Sequence, residues 1–159
     1  MMKITLISLG KLKESYLRDA AAEYIKRLSR FCMFSAVELE PQKLPERPSE
    51  ALISSALDAE AEMILKKIPD NAFVVALCVE GKPLSSEELA KRVEKLSSEG
   101  RQIVFIIGSS FGLSERVKRR ADMRLSVSAM TFPHQLFRIM LLEQIYRAFQ
   151  INSGSEYHK

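Results

Sequence analysis

Histidine and cysteine are scarce in this chain, with two of each among 159 residues. Cys32 and Cys78 stand alone, without Cys-x-x-Cys spacing, which excludes a disulfide framework and points to reduced, buried thiols in a cytoplasmic protein. His134 and His158 have no companions at ligand spacing, so no metal site is expected. Long apolar runs are missing as well. Phe73–Val79 and Ile103–Ile107 are strand-sized, far below the ~20 residues of a membrane span, and no membrane partner is expected. Met1-Met2-Lys3-Ile4 leads into an alternating segment rather than an extended apolar stretch, so no secretory signal is expected. Gly-x-Gly-x-x-Gly and the Walker motif are both absent, which removes the common dinucleotide and nucleoside triphosphate sites. Strong charge of one sign is lacking too, since 24 Lys and Arg face 20 Asp and Glu, a net +4. That balance is uneven along the chain. Residues 1–80 carry 11 basic and 12 acidic side chains, whereas 81–159 carry 13 and 8, a net +5 that hints at an anionic partner for the second half.

What remains is the composition of a globular protein, 47% hydrophobic and 28% charged. A chain of this length buries roughly 70% of its unfolded surface and is expected to form one domain over 1–159. Strand and helix patterns alternate throughout. Lys3–Leu9 alternates and stops at Gly10; Leu17, Ala21, Tyr24, Leu28 and Phe31 then recur at helical spacing, with Ser15 as the expected N-cap. A short strand at Phe34–Leu39 precedes a loop punctuated by Pro41, Pro45 and Pro48, after which Ser49 caps a second helix. Phe73–Val79 and Ile103–Ile107 are continuously apolar, as strands covered on both faces are. Between them the spacing predicts a helix over Ser86–Ser98, ended by Gly100. A basic helix at Glu115–Arg120, a strand at Leu125–Ser128 and a long helix over His134–Gln150 complete an α/β fold, a mostly parallel sheet with helices on both faces.

The last helix is apolar over more than one stripe, from Leu136 to Ile151. Its breadth fits either a central core helix or a helix lying between the sheet and a second subunit, and the second reading is preferred because wide exposed apolar patches are rare in monomers.

Three segments could carry chemistry. Gly108-Ser109-Ser110-Phe111-Gly112 follows a buried strand and precedes a helix capped by Ser114, the position where open α/β sheets bind ligands. The same residues satisfy Gly-x-Ser-x-Gly, so Ser110 could serve as a hydrolase nucleophile with Asp122 and a histidine following in order, although no oxyanion loop precedes them. Lys118-Arg119-Arg120, flanked by Arg116 and Arg124, reads either as a solvated helix face or as a phosphate-contacting surface. In Leu125–Leu136, small and hydroxyl residues sit between a strand and a helix, with Met130 and Phe132 available to flank a flat ligand and Pro133 suited to the first helical turn. The terminal Tyr157-His158-Lys159 joins an aromatic ring, a titratable base and a positive charge.

Together, Ile106-Ile107-Gly108, Phe111-Gly112-Leu113-Ser114, the run Leu125–Leu136, Glu143-Gln144-Ile145-Tyr146-Arg147-Ala148 and the terminal Tyr-His-Lys resemble the RlmH family, over essentially the full length. Those are SPOUT-class methyltransferases acting on N3 of a pseudouridine in 23S ribosomal RNA. The resemblance implies a C-terminal trefoil knot, a homodimer, and S-adenosylmethionine bound in the knot by Leu77, Gly108, Val127, Ser128, Ala129, Met130, Thr131 and Phe132. Arg138, Arg147, Tyr157 and His158 match positions associated with the RNA substrate and activity, and Lys118, Arg119 and Arg120 add a basic surface for the RNA. By residue type, His158 is the candidate base, since its ordinary pKa of ~6.5 lies near working pH. Tyr157 is suited to stacking on the target base, and Arg147 to binding phosphate or an imide anion. Two positions depart from the family: Ser109 stands where a second glycine is usual, and Glu156 where a proline usually precedes Tyr-His. The competing readings are the Ser110 hydrolase and a non-enzymatic ribosome-binding protein.

Overall fold

In a computed structural model describing residues 1–159, every strand runs parallel. The strands β1 (Lys3–Leu9), β2 (Met33–Leu39), β3 (Phe73–Pro83), β4 (Ile103–Ile107) and β5 (Met123–Ser126) lie in the order β2-β1-β4-β3-β5. They alternate with α1 (Ser15–Leu28), α2 (Glu50–Leu65), α3 (Ser86–Ser98), α4 (Glu115–Arg120) and α5 (His134–Asn152). The two-residue repeat of a strand splits the core into two layers. Ile103, Phe105 and Ile107 of β4 pack with α1, α3 and α5, while Val104 and Ile106 point to the other face, against Ala61 and Ile64 of α2 and Val117 of α4. Burial on both sides is why β4 is apolar at every position.

The helices that follow β3 and β4 therefore leave to opposite faces from neighbouring strands. Such a switch opens a crevice at the carboxyl ends of the strands, where doubly wound folds hold ligands.

Local capping agrees with the sequence at Ser49 of α2 and at Gly100, φ +69°, after α3, and the structure adds an N-terminal cap to α3. Ser49 Oγ accepts the Leu52 N–H at 3.2 Å, and Ser85 with Glu88 completes a reciprocal capping box. Helix α1 starts one residue earlier than expected. The Glu14 carbonyl already accepts from Leu17 and Arg18, so Ser15 lies inside the helix and no side chain caps it. Pro133 occupies the N-cap position of α5 rather than its first turn.

Two strands, β5 and β3, differ from expectation. The Asp122 carboxylate accepts the Val74 N–H at 2.8 Å while its own N–H donates to the Val74 carbonyl at 2.8 Å. This bracket starts β5 at Met123 and frees 127–132 from the sheet. Leu125 then pairs with both Leu77 and Lys82, so β3 makes an excursion over the intervening residues before resuming to Pro83. Val79, at 89% exposed, lies in that excursion. Gly81 permits the return, because a Cβ there would stand 2.6 Å from the Leu125 carbonyl carbon and 2.7 Å from the Ser126 nitrogen.

The breadth of α5 is largely used within the chain. Leu141, Leu142, Ile145 and Ala148 are buried in the same layer as α1 and α3. Phe149 stacks on Phe31 at 5.6 Å between centroids, and Tyr146 meets Tyr24 at 6.3 Å. The core-helix reading accounts for the buried stripe, while Leu136, Phe137, Ile139 and Met140 keep part of their apolar surface open. No helix is long and apolar enough to cross a membrane.

Candidate active site

A cavity of about 420 Å³ opens at the carboxyl ends of β3, β4 and β5. Its walls include Leu77, Gly108 and the whole segment Val127, Ser128, Ala129, Met130, Thr131 and Phe132. These eight residues come from three separated stretches of chain, and all were expected to share a ligand. Ser128 Oγ accepts the Met130 N–H at 3.0 Å, turning the 127–132 loop, every residue of which borders the cavity. Phe132 is braced edge-on by Phe137 at 5.7 Å.

The glycine turn forms the adjoining wall. Gly112 N–H donates to the Ser109 carbonyl at 2.8 Å, and Gly112 takes φ +85°, which a side chain rarely adopts. Gly108 passes so close to this closed turn that a Cβ on it would overlap the Gly112 carbonyl oxygen. Its lack of a side chain is a spatial requirement.

The basic run divides. Lys118 lines the cavity but is paired with Glu80 at 2.5 Å and Glu115 at 3.6 Å. The hydrogen bond to Glu80 raises the Lys118 pKa, and the same bond lowers that of Glu80, so both stay charged and mutually engaged. Arg120 lies 3.7 Å from Asp122, whereas Arg119 is exposed. Arg138, expected on the RNA surface, is only 7% exposed and turned inward. Its guanidinium donates to Glu38 at 2.7 Å and to the Gly10 carbonyl at 3.0 Å, tying α5 to the ends of β1 and β2. Burial lowers its pKa, with Glu38 opposing that effect. The physical reason for the difference is position, since Arg138 lies on the α5 face opposite Arg147 and that face meets the sheet.

Arg147, Tyr157 and His158 meet in a separate cluster. Arg147 Nε and Nη2 both donate to Glu143 Oε1, at 3.0 and 2.6 Å, and Nη1 meets His158 Nδ1 at 3.0 Å. His158 Nε2 is 2.7 Å from Glu87, and Tyr157 donates to Glu143 at 3.2 Å while its ring lies 4.9 Å beneath the Arg147 guanidinium. A guanidinium only donates, so Nδ1 accepts and the Nε2 proton goes to Glu87. The imidazole's basic lone pair is therefore already used. None of these three residues lines the 420 Å³ cavity of its own chain. Beside the cluster, a second cavity of about 410 Å³ is lined by Ser86, Met140 and Glu143, and shares Leu125, Ser126 and Val127 with the first.

The hydrolase constellation does not assemble. Asp122 serves Val74, His158 serves Arg147 and Glu87, and no hydrogen bond joins Ser110 to either. No group of three His, Cys, Asp or Glu is arranged to hold a metal ion. Sequence reasoning missed Glu60 and Glu87, and it named His134 and Glu143 only within motifs, without the places they take beside the first cavity and on Arg147. The signal for Glu60 was a carboxylate at core spacing, between Ala56 and Ile64 on the buried face of α2.

The thiols permit a direct check of this geometry. Burial pushes Cys32 up to about 11 and also raises Cys78, which borders the cavity. Both are expected to resist iodoacetamide near neutral pH in the folded protein and to react fully in denaturant, read by intact mass. A raised folded pKa means that the stabilisation from these neutral thiols is complete below the unfolded value, ~8.5, and is lost as pH rises through the folded one.

A parallel sheet with a glycine turn and a loop of small and hydroxyl residues around one cavity at a switch point is the form of α/β proteins whose ligand sites lie at the carboxyl ends of the strands. The chain belongs to the SPOUT methyltransferase family, whose sequence model, described as "Predicted SPOUT methyltransferase", matches residues 2–158. It is 52% identical to Ribosomal RNA large subunit methyltransferase H of Streptococcus thermophilus (strain CNRZ 1066) over 159 residues, 99% of this chain and 100% of the relative. It is 54% identical to the protein of the same name from Bifidobacterium adolescentis, with the same coverage.

Proposed function

We propose that this chain transfers a methyl group from S-adenosylmethionine to N3 of a pseudouridine in 23S ribosomal RNA, working as a cytoplasmic homodimer. The observation that carries this reading is the convergence of Leu77, Gly108 and residues 127–132 on one cavity. Its volume lies within the ~300–1,000 Å³ of small-molecule sites. The fit is one of shape and polarity: Leu77, Met130 and Phe132 offer apolar surface to a flat base, and the 127–132 backbone offers hydrogen bonds to its edge. When bound, the sulfonium compound supplies an electrophilic methyl group.

The chain's own residues orient the partners and manage one proton. N3–H is an imide hydrogen and must leave before the nitrogen can attack. His158 accepts it once Nδ1 is released from Arg147, and Arg147 then faces the developing imide or a backbone phosphate. Glu143 and Glu87 hold both groups until RNA competes for them. Arg119 and the uneven charge of residues 81–159 favour the phosphate backbone.

A second copy supplies the missing half of the site. The tail cluster lies off its own cavity, and the cavity rim exposes Val79, Phe111 and Met130, the last at 73%. Apolar side chains gathered around a ligand site in this way favour a covering partner. The family's knot suits such a wall.

Calorimetric titration with S-adenosylhomocysteine tests the reading. One site per chain is expected, and bound ligand is expected to shield Cys78 from alkylation at elevated pH. Absence of binding would overturn it.

A further inference from the structure

The glycine turn is held from behind by a carboxylate that no step above employs. Glu60 is 4% exposed, and none of the chain's ion pairs includes it. A carboxylate taken out of water without a cation is costly unless hydrogen bonds offset the loss. Glu60 has one for each oxygen. Oε1 accepts from Ser109 Oγ at 3.1 Å, and Oε2 accepts from the Gln42 N–H at 3.0 Å. Three segments distant in sequence thus meet on one side chain: α2, the loop after β2, and the turn at the end of β4.

Ser109 has two duties in that turn. Its carbonyl closes the turn on Gly112, and its hydroxyl ties the closed turn to α2. It is also the residue that stands where the family resembled here usually has glycine, which lacks the hydroxyl. A glycine gains freedom at this point; the serine exchanges that freedom for an anchor on a buried acceptor. The neighbour on one side is Gly108, whose close approach to Gly112 leaves the turn little room to relax. A small displacement of Ser109 is therefore transmitted to the cavity wall.

We propose that Glu60 and Ser109 are positioning residues for cofactor binding: the carboxylate fixes the Ser109 hydroxyl and so holds the Gly108–Gly112 turn in its cavity-forming shape before ligand arrives. The proposal rests on reading the adjoining cavity as the S-adenosylmethionine site. Hydrogen bonds to a charged group are among the stronger ones, and fixing the turn in advance lowers the ordering cost of binding.

The test compares full-length Ser109→Ala, Ser109→Thr and Glu60→Gln with the unaltered protein. S-adenosylhomocysteine affinity is measured by calorimetry, and amide hydrogen exchange over 108–113 is measured without ligand. Ser109→Ala is expected to weaken binding about tenfold and to speed exchange in the turn, with Ser109→Thr restoring both to within about twofold because it keeps the hydroxyl. Glu60→Gln is expected to fall between Ser109→Ala and the unaltered protein, since its oxygen is held by the Gln42 N–H and a neutral amide N–H replaces the carboxylate at the Ser109 hydroxyl. If that variant fails to fold, the Ser109 pair still decides the matter. Equal affinity in Ser109→Ala and the unaltered protein would overturn the positioning role while leaving the cofactor site standing. If the unaltered protein binds no ligand, the cofactor reading fails by itself and takes the binding role with it; the ligand-free exchange then reports separately whether the clamp holds the turn, and unchanged exchange in Ser109→Ala overturns that too.

Discussion

Gly108→Ala is expected to weaken S-adenosylhomocysteine binding by roughly 30- to 100-fold while the sheet stays folded. The added methyl would overlap the Gly112 carbonyl oxygen, stand 2.6 Å from that carbonyl carbon and touch Leu113 Cδ2 at 3.0 Å. Two of those three atoms are backbone and cannot swing aside, and the turn is closed by the 2.8 Å bond from Gly112 to Ser109. Overpacking of this kind costs about 1–3 kcal/mol, and the upper part of that range, at 1.4 kcal/mol per decade, gives the stated loss if the turn relaxes into the cavity. Gly112→Ala provides the contrast. Nothing lies within 4 Å of its added carbon, so the penalty is only that of holding alanine at φ +85°, about 1–2 kcal/mol, spread over folding as well as binding. Calorimetry and thermal unfolding of both variants separate the two costs. Equal affinity losses would mean that space at Gly108 has no special part in the site.

The parts of this molecule legible in sequence are those governed by local periodicity. Ile103–Ile107 reads as a doubly covered strand because each of its side chains meets a helix layer. The convergence of Gly108 with residues 127–132 was legible only through family resemblance, since spacing says nothing of which distant segments share a wall. Three features escaped both routes. The start of β5 depends on Asp122 bracketing Val74, a pairing across 48 positions. The breadth of α5 is shared between α1 and α3, which bury Leu141, Leu142 and Ile145, and an outer surface where Leu136 and Met140 stay partly open. Arg138 looked like a phosphate ligand, yet its place on the sheet-facing side of α5 joins it to Glu38 across 100 positions. In each case a polar side chain or a helix face is claimed by a partner remote in sequence, and neither composition nor spacing encodes that partner.

Mixing two inactive proteins is expected to restore activity. His158→Ala removes the proposed base, a change worth about 10²- to 10⁴-fold in methyl transfer to ribosomal RNA, and Gly108→Ala disables the cavity. If the tail of one subunit serves the cavity of the other, a heterodimer of the two variants contains one site with both changes and one with neither. Random exchange of subunits makes half the dimers mixed, so about one quarter of the unaltered rate should return. If each tail served its own cavity, every site in the mixture would carry one defect and no recovery would occur. The arrangement within a single chain favours the first outcome: Arg147 and His158 are absent from their own cavity wall, and the cavity rim exposes apolar side chains without a cover. Methyl incorporation into ribosomal RNA before and after subunit exchange measures the difference, and a monomeric mass in solution would exclude shared sites altogether. The His158→Ala homodimer tests the base independently, because a full single-turnover rate there removes His158 from that role. Arg147→Ala, expected to cost about 10²- to 10³-fold through lost stabilisation of the imide anion, would then identify the cation rather than the imidazole as the group that makes N3 reactive.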